Sequence, residues 1–288
     1  TWTAYEAATY TATVAQGANP VCVALNAVLD QLLGHAVVES KGISQADDEN
    51  WRETLSSKRL IPISGGCKVL DPVSSDLVYR PLAARIIGVA VRRDQEKGAP
   101  FHSWANQPIQ GVVGPARDIT YALTDDANEA QQLLKNNIGV MVRGELGNEF
   151  AIAAGGFMFI GTDNAGEDEL WRFYNMVRGR DYIHLSLLRA MRYYLGRFNI
   201  TIQTVQAVMN GMKMLLRDLA ADGHILGYTV NFSPDKNSAD QIRMGSLTIG
   251  FKAEEAAPLR KLTIESARYR EAVDAMITEL AAQMQLQG

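Results

Sequence analysis

Cysteine is almost missing from this sequence: Cys22 and Cys67 are the two among 288 residues. Two thiols cannot build a disulfide framework or a four-ligand zinc site, so both read as free core thiols. Long apolar runs are missing too. The stretches 86–91 and 157–160 span only a few residues each, far below the ~20 that a membrane-crossing helix needs. There is no excess of basic charge. Lys and Arg number 28 against 32 Asp and Glu, a net charge of −4, which argues against a general nucleic-acid binder. Reactive motifs are absent as well: there is no Gly-x-Ser-x-Gly elbow, no His-Glu-x-x-His and no Cys-x-x-Cys. Gly65-Gly66-Cys67-Lys68 lacks the ending of a phosphate loop, and Gly111-Val112-Val113-Gly114 is no dinucleotide fingerprint.

What is present is ordinary globular usage, with 47% hydrophobic and 21% charged residues, enough for one large domain or two modest ones. The chain opens on Thr1 without a basic or long apolar leader, so it does not read as a signal peptide. It reads as a trimmed piece of something longer. Residues 9–14 are β-branched and read as a strand, as does the apolar run Val21–Leu25, with a helix after it to Leu33 and Gly34 as its C-cap. Strands are also expected at 35–40, 60–63, 68–70, 119–123, 139–143, 150–161, 173–177, 228–232 and 246–251. Helices are expected at 45–56, 82–97, 125–136, 181–198, 201–221 and 266–284. Short strands alternate with helices in the first half, and helices precede strands in the second. The fold class is therefore α/β (α+β), a mixed sheet flanked by helices with a C-terminal α+β extension.

Candidate chemistry is sparse. His35, His102, His184 and His224 are scattered along the chain and read as packed or surface residues. Asp163, Glu167, Asp168 and Glu169 read as a solvated acidic loop, because calcium loops need a fixed ligand spacing. Five arginines, Arg178, Arg180, Arg189, Arg192 and Arg197, face one acid, Asp181, within 178–197. They read either as a solvated face or as a docking surface for an acidic partner. The last helix carries Tyr269, Val273, Met276, Ile277, Leu280 and Met284 on one side, which reads as core packing, with charges elsewhere.

The landmarks, taken in order, resemble the contractile tail sheath proteins of bacteriophages and of related bacteriocin and injection particles. They begin with Leu60-Ile61-Pro62, Asp71-Pro72, Gly88-Val89-Ala90, Gly98, Asn106, Ile109 and Gly111. They continue through 133–139, Gly156 to Gly161 and Leu170-Trp171-Arg172-Phe173. They end with Gly223-His224-Ile225-Leu226-Gly227-Tyr228, Asn237 and Gly245-Ser246-Leu247. Where the family carries Trp-Gly-x-Arg-Thr, this chain has Ile160-Gly161-Thr162-Asp163-Asn164, so it resembles a divergent member.

The resemblance implies a subtilisin-like core without a protease triad, spanning 18–177, after an N-terminal arm at 1–17 and before a C-terminal sheath domain at 178–288. It implies a non-enzymatic structural subunit with no cofactor and no metal. Its partners would be other copies in a six-fold helical sheath, the tail tube protein, and baseplate and tail terminator proteins, with no nucleic acid and no membrane. It would sit in the virion tail after assembly in the bacterial cytoplasm, and contraction would drive the tube through the host envelope. Strand pairing between subunits is expected near Thr9, Thr11, Thr13, Leu247, Ile249 and Phe251. Tube contact is expected at Arg268, Arg270, Glu271 and Asp274, and secondarily at Arg189 and Arg192. The rival readings are an α/β hydrolase, which needs a His, an acid and a nucleophile in one cleft, and a structural module that stays monomeric.

Overall fold

Asn19 and Pro20 open the first element as a helix where the apolar run had favoured a strand. The Asn19 carboxamide accepts hydrogen bonds from the N–H groups of Val21 and Cys22 at 2.9 and 3.4 Å, and proline fits the first helical position. The resulting α1 (Pro20–Leu32) closes on Leu33 in the left-handed region, one residue before the expected Gly34. The computed structural model describes residues 19–41, 43–122, 125–143 and 156–285, so the strand expected at 9–14 lies outside the described residues.

A mixed layer forms the centre. Strands β1 (Ala36–Glu39) and β2 (Leu60–Ile63) pair in parallel, with Ala36 opposite Leu60. Ile63 then bridges Gly139 in parallel, at the foot of the strand Val140–Arg143. That strand, β7 in chain order, pairs antiparallel with β8 (Phe157–Ile160), and β8 pairs with β5 (Gln107–Pro108). A second small sheet joins β4 (Leu77–Arg80), β3 (Cys67–Leu70) and β6 (Gly114–Pro115). Every residue of β2 is buried, as expected for a strand covered on both faces. The period-2 alternation of β1 sends Val37 and Val38 to opposite sides. Val37 joins Ile61, Ile63, Leu82, Ile86, Val89, Ala90 and Trp104, the middle of which lie on α3 (Ala83–Lys97). Val38 joins Leu60, Trp51 and Leu55 beside α2 (Gln45–Glu53), together with Cys22 and Leu29 of α1. Each fully buried aliphatic side chain stabilises by ~1.5–3 kcal/mol. Both cysteines are buried and free.

Where β2 ends, backbones crowd. A Cβ on Gly65 would lie 2.1 Å from the Ser40 carbonyl oxygen, so the turn beyond β2 requires glycine. Glu39, at the end of β1, accepts a hydrogen bond from Ala83 N at 2.6 Å. It thereby satisfies a donor at the start of α3, whose N-cap Leu82 has no capping side chain.

Three further expectations shift. The strand expected at 119–123 is absent over the described 119–122. Ile119 and Tyr121 instead pack on α4 (Glu129–Lys135), and Thr120 O accepts from Ala130 N. The strand expected at 173–177 shrinks to one bridge between Asp163 and Phe173. Helix α5 (Tyr174–Met191) starts there, earlier than the expected 181, and ends before the expected 198. Its partner α6 (Ile202–Ala221) matches the sequence reading closely, and Val208, Met212, Leu216 and Leu219 face Ile183 and Leu187 of α5. Strand β9 (Ile225–Phe232) follows, then the short α7 (Ala239–Arg243), then β10 (Ile249–Glu255), which pairs antiparallel with β9.

The chain divides into two compact units, one running to Pro258 and one from Leu259. The second contains α8 (Arg270–Gln285), which starts later than the expected 266. The apolar stripe expected to pack in a core is not buried within this unit: Tyr269, Val273, Met276, Ile277, Leu280 and Met284 are all exposed among the described residues.

Candidate interaction surfaces

The buried polar groups decide whether any cleft can do chemistry. Asp181 of α5 meets His35 and Arg59: His35 Nε2 donates to its carboxylate at 2.9 Å, and Arg59 ties it to Asp30, with a 2.7 Å bond to that second acid. Burial opposes the charge on Asp181, but hydrogen bonds from His35 and Arg59 outweigh it and hold the carboxyl below its usual range. Burial lowers the His35 pKa, against the pull of Asp181. These two residues line a cavity of about 310 Å³ with Trp104, Asp94, Arg178 and Tyr182. A histidine and an acid therefore do meet in a cleft, which the scattered sequence positions did not reveal. Among the described residues that line the cleft there is no Ser, Thr or Cys for the pair to activate.

His102 and His224 also meet, their rings 5.4 Å apart, while Phe101 stacks on His224 at 4.8 Å. Asn175 of α5 donates to Phe101 O at 2.9 Å and fixes this loop. The Tyr174 hydroxyl accepts from Trp104 N at 2.8 Å and donates to Gly161 O at 3.0 Å. Burial pushes its pKa up to about 12. These are structural ties. Asp163 of the supposed solvated loop is buried instead and pairs with Arg172 at 3.0 Å, while Glu167, Asp168 and Glu169 remain exposed. Among the described residues no group of His, Cys, Asp or Glu could hold a metal ion.

The five arginines split into two sets. Arg178 forms a two-pronged pair with Asp94, one prong at 3.2 Å, and stacks on Trp104 at 4.8 Å. Arg180 grips Glu255 at 2.6 and 2.9 Å and the Ala253 carbonyl at 2.6 Å, tying α5 to β10. Both are internal braces and not parts of a docking face. Arg189, Arg192 and Arg197 are different. They line an open cavity of about 320 Å³ with Tyr193 and Leu195, and Arg197 lies over the Tyr193 ring at 4.8 Å.

The hairpin of β9 and β10 is a sheet of two strands, so each has one edge without a partner among the described residues. Ile249 and Phe251 turn inward against the α5–α6 cluster, which leaves main-chain groups, more than their side chains, as the open feature. Leu247 precedes β10 and lies outside the strand. Thr9, Thr11 and Thr13 lie outside the described residues. Arg270 pairs loosely with Asp274 within exposed α8, at 3.9 Å, and Arg268 and Glu271 are exposed beside them.

Residues 166–267, which hold both the hairpin and the arginine cavity, match the family model described as phage tail sheath C-terminal domain. The chain is 24% identical over 246 residues to the tail sheath protein of Escherichia phage P2, covering 85% of this chain and 59% of that protein. It is 24% identical over 261 residues to a prophage protein of Pseudomonas aeruginosa strain UCBPP-PA14 named as a major tail sheath protein, covering 90% of this chain and 63% of that one. It thus spans about three fifths of the length of these curated relatives. Its fold is similar to a chain of the anti-feeding prophage helical sheath in the contracted state, with a TM-score of 0.68, 20% identity, and coverage of 86% of this chain and 66% of that one. It is also similar to a chain of an extracellular contractile injection system sheath, with a TM-score of 0.66, 15% identity, and coverage of 82% and 64%.

Proposed function

We propose, since this chain is a relative of tail sheath proteins over most of its length, that it is a structural subunit which polymerises helically around a tail tube and contracts to drive that tube through a host envelope. It is not an enzyme: the proteins it resembles are named as sheath components. The observation that carries the reading is that the matched segment 166–267 contains the open-edged β9–β10 hairpin. A strand from a neighbour can add to each free edge through main-chain hydrogen bonds, which hold subunits together while rigid bodies rotate. Thr9, Thr11 and Thr13 are the proposed donor strand, and Leu247, Ile249 and Phe251 mark the receiving side.

In this reading 18–177 is a subtilisin-like core and 178–288 a C-terminal sheath domain, with 1–17 as an arm. The parallel β1–β2 pair with helices on both faces supports the core assignment. Copies of the chain, the tail tube, and the baseplate and terminator proteins are the proposed partners. The proposed location is the virion tail, assembled in the host cytoplasm. Arg268, Arg270, Glu271 and Asp274 on the exposed α8 segment are the proposed tube contact. Electron microscopy of the full-length protein should show tubes, and hydrogen exchange on them should show strong new protection at 9–14 and 247–264. A full-length protein that stays monomeric favours the lone structural module and defeats the proposal.

A further inference from the structure

The cavity at the far end of α5 has an unusual charge balance. Arg189, Arg192 and Arg197 line it with no acidic side chain among its lining residues. None of the three makes an ion pair among the described residues, whereas Arg59, Arg172, Arg178 and Arg180 are each bound to an acid. The opposite arrangement occurs just before α5. Glu167, Asp168 and Glu169 are exposed, and the next residue, Leu170, is 78% exposed at the start of a 3-10 turn (Glu169–Trp171). One patch offers three guanidinium groups with Tyr193 and a 78%-exposed Leu195. The other offers three carboxylates with an exposed leucine. Charge and apolar surface are complementary on both counts.

The two patches cannot meet within one chain. Helix α5 stands between them, and its 18 residues make a rod of roughly 27 Å at ~1.5 Å per residue. We propose that the arginine cavity of one copy receives the 167–170 loop of a second copy, Arg189, Arg192 and Arg197 binding Glu167, Asp168 and Glu169 while Leu170 seats against Tyr193 and Leu195. Because the two patches differ, the contact is head-to-tail and leaves a free cavity at one end and a free loop at the other. It repeats without closing, which generates a filament. The inference deepens the sheath reading by naming a self-contact, and it assigns Arg189 and Arg192 to a second copy ahead of the tube.

The test uses the full-length protein with cysteines placed on both patches, Leu170→Cys together with Leu195→Cys; the native thiols are buried. Mild oxidation should give a ladder of two, three and more linked chains, suppressed at high salt because exposed ion pairs are screened. Arg189→Glu with Arg192→Glu should lower ladder yield by about tenfold or more, and adding Glu167→Arg with Glu169→Arg should restore it. Either no ladder, or linking that stops at a pair, overturns the inference, as does charge reversal without effect. Tubes that form while the ladder fails would sink this contact and leave the sheath reading standing. A ladder from a protein that forms no tubes would do the reverse.

Discussion

The parallel centre and the β9–β10 hairpin are built to opposite rules. In β2 every residue is buried and both strand edges are used, by β1 and by the bridge to Gly139. In β9 most residues are exposed and one edge is empty among the described residues. The charged groups follow the same division. Asp181, Glu39 and Asp163 are buried with named partners around the centre, while Arg189, Arg192 and Arg197 stand without acids among the described residues. In the centre most strand edges and charged groups are matched within the chain. The hairpin and the arginine cavity present unmatched groups, which is the condition for recruiting a neighbour.

Truncation should expose the difference most sharply. Trp104→Ala removes a side chain that is 2% exposed, stacked on Tyr174 at 4.4 Å, and should cost ~3–5 kcal/mol in denaturant unfolding. Leu226→Ala on β9, 75% exposed, should fall within ~0.5 kcal/mol. Equal costs would erase the distinction between the two regions. A smaller effect is expected at the buried ion pair. Asp181→Ala leaves His35 without its acid and Arg59 with only the exposed Asp30, and should cost ~3 kcal/mol by the same measurement. A near-neutral result would mean the centre does not depend on its pairing.

The smallest effect is on pH. The folded His35 resists protonation, so its contribution is present above the unfolded value near 6.5 and is lost as pH falls below that toward its lowered folded value. Asp181 stays ionised through this window because its own pKa is held low. Between pH 7 and 5.5 the protein should therefore lose more stability than its His35→Gln variant. Parallel curves for the two proteins would remove His35 from the account.

Long periodic elements were legible in the sequence. The apolar repeat of α6 and the buried run of β2 fall where their patterns place them. Short apolar runs were not. Val21–Leu25 and Phe173–Val177 carry too few residues to reveal a period, and capping at Asn19 and burial of Tyr174 and Val177 on one helical face decided for helix. The division among the arginines was hidden for a different reason. Arg178 finds its acid 84 positions away and Arg180 finds its acid 75 positions away, and His35 lies 146 from Asp181. No local pattern reports such pairs. The family resemblance, which depends on the order of landmarks and not on pairings, was legible and stands. The apolar stripe of α8 was correctly located, but the sequence could not say that its own unit, a single helix and its lead-in, has too few partners to bury it.

Helix α5 is fastened unevenly. Tyr174, Asn175, Arg178, Arg180 and Asp181 anchor its first eight residues to Gly161, Phe101, Asp94, Glu255 and Arg59, while its last turn, with Arg189, carries no comparable polar anchor among the described residues. Its far half is held differently, by apolar packing of Ile183, Leu187 and Met191 against α6. Mechanically this is a beam bolted at one end and resting on a greased rail along the rest. A pull on the tip by a neighbour would let the rail slide before the bolts gave way.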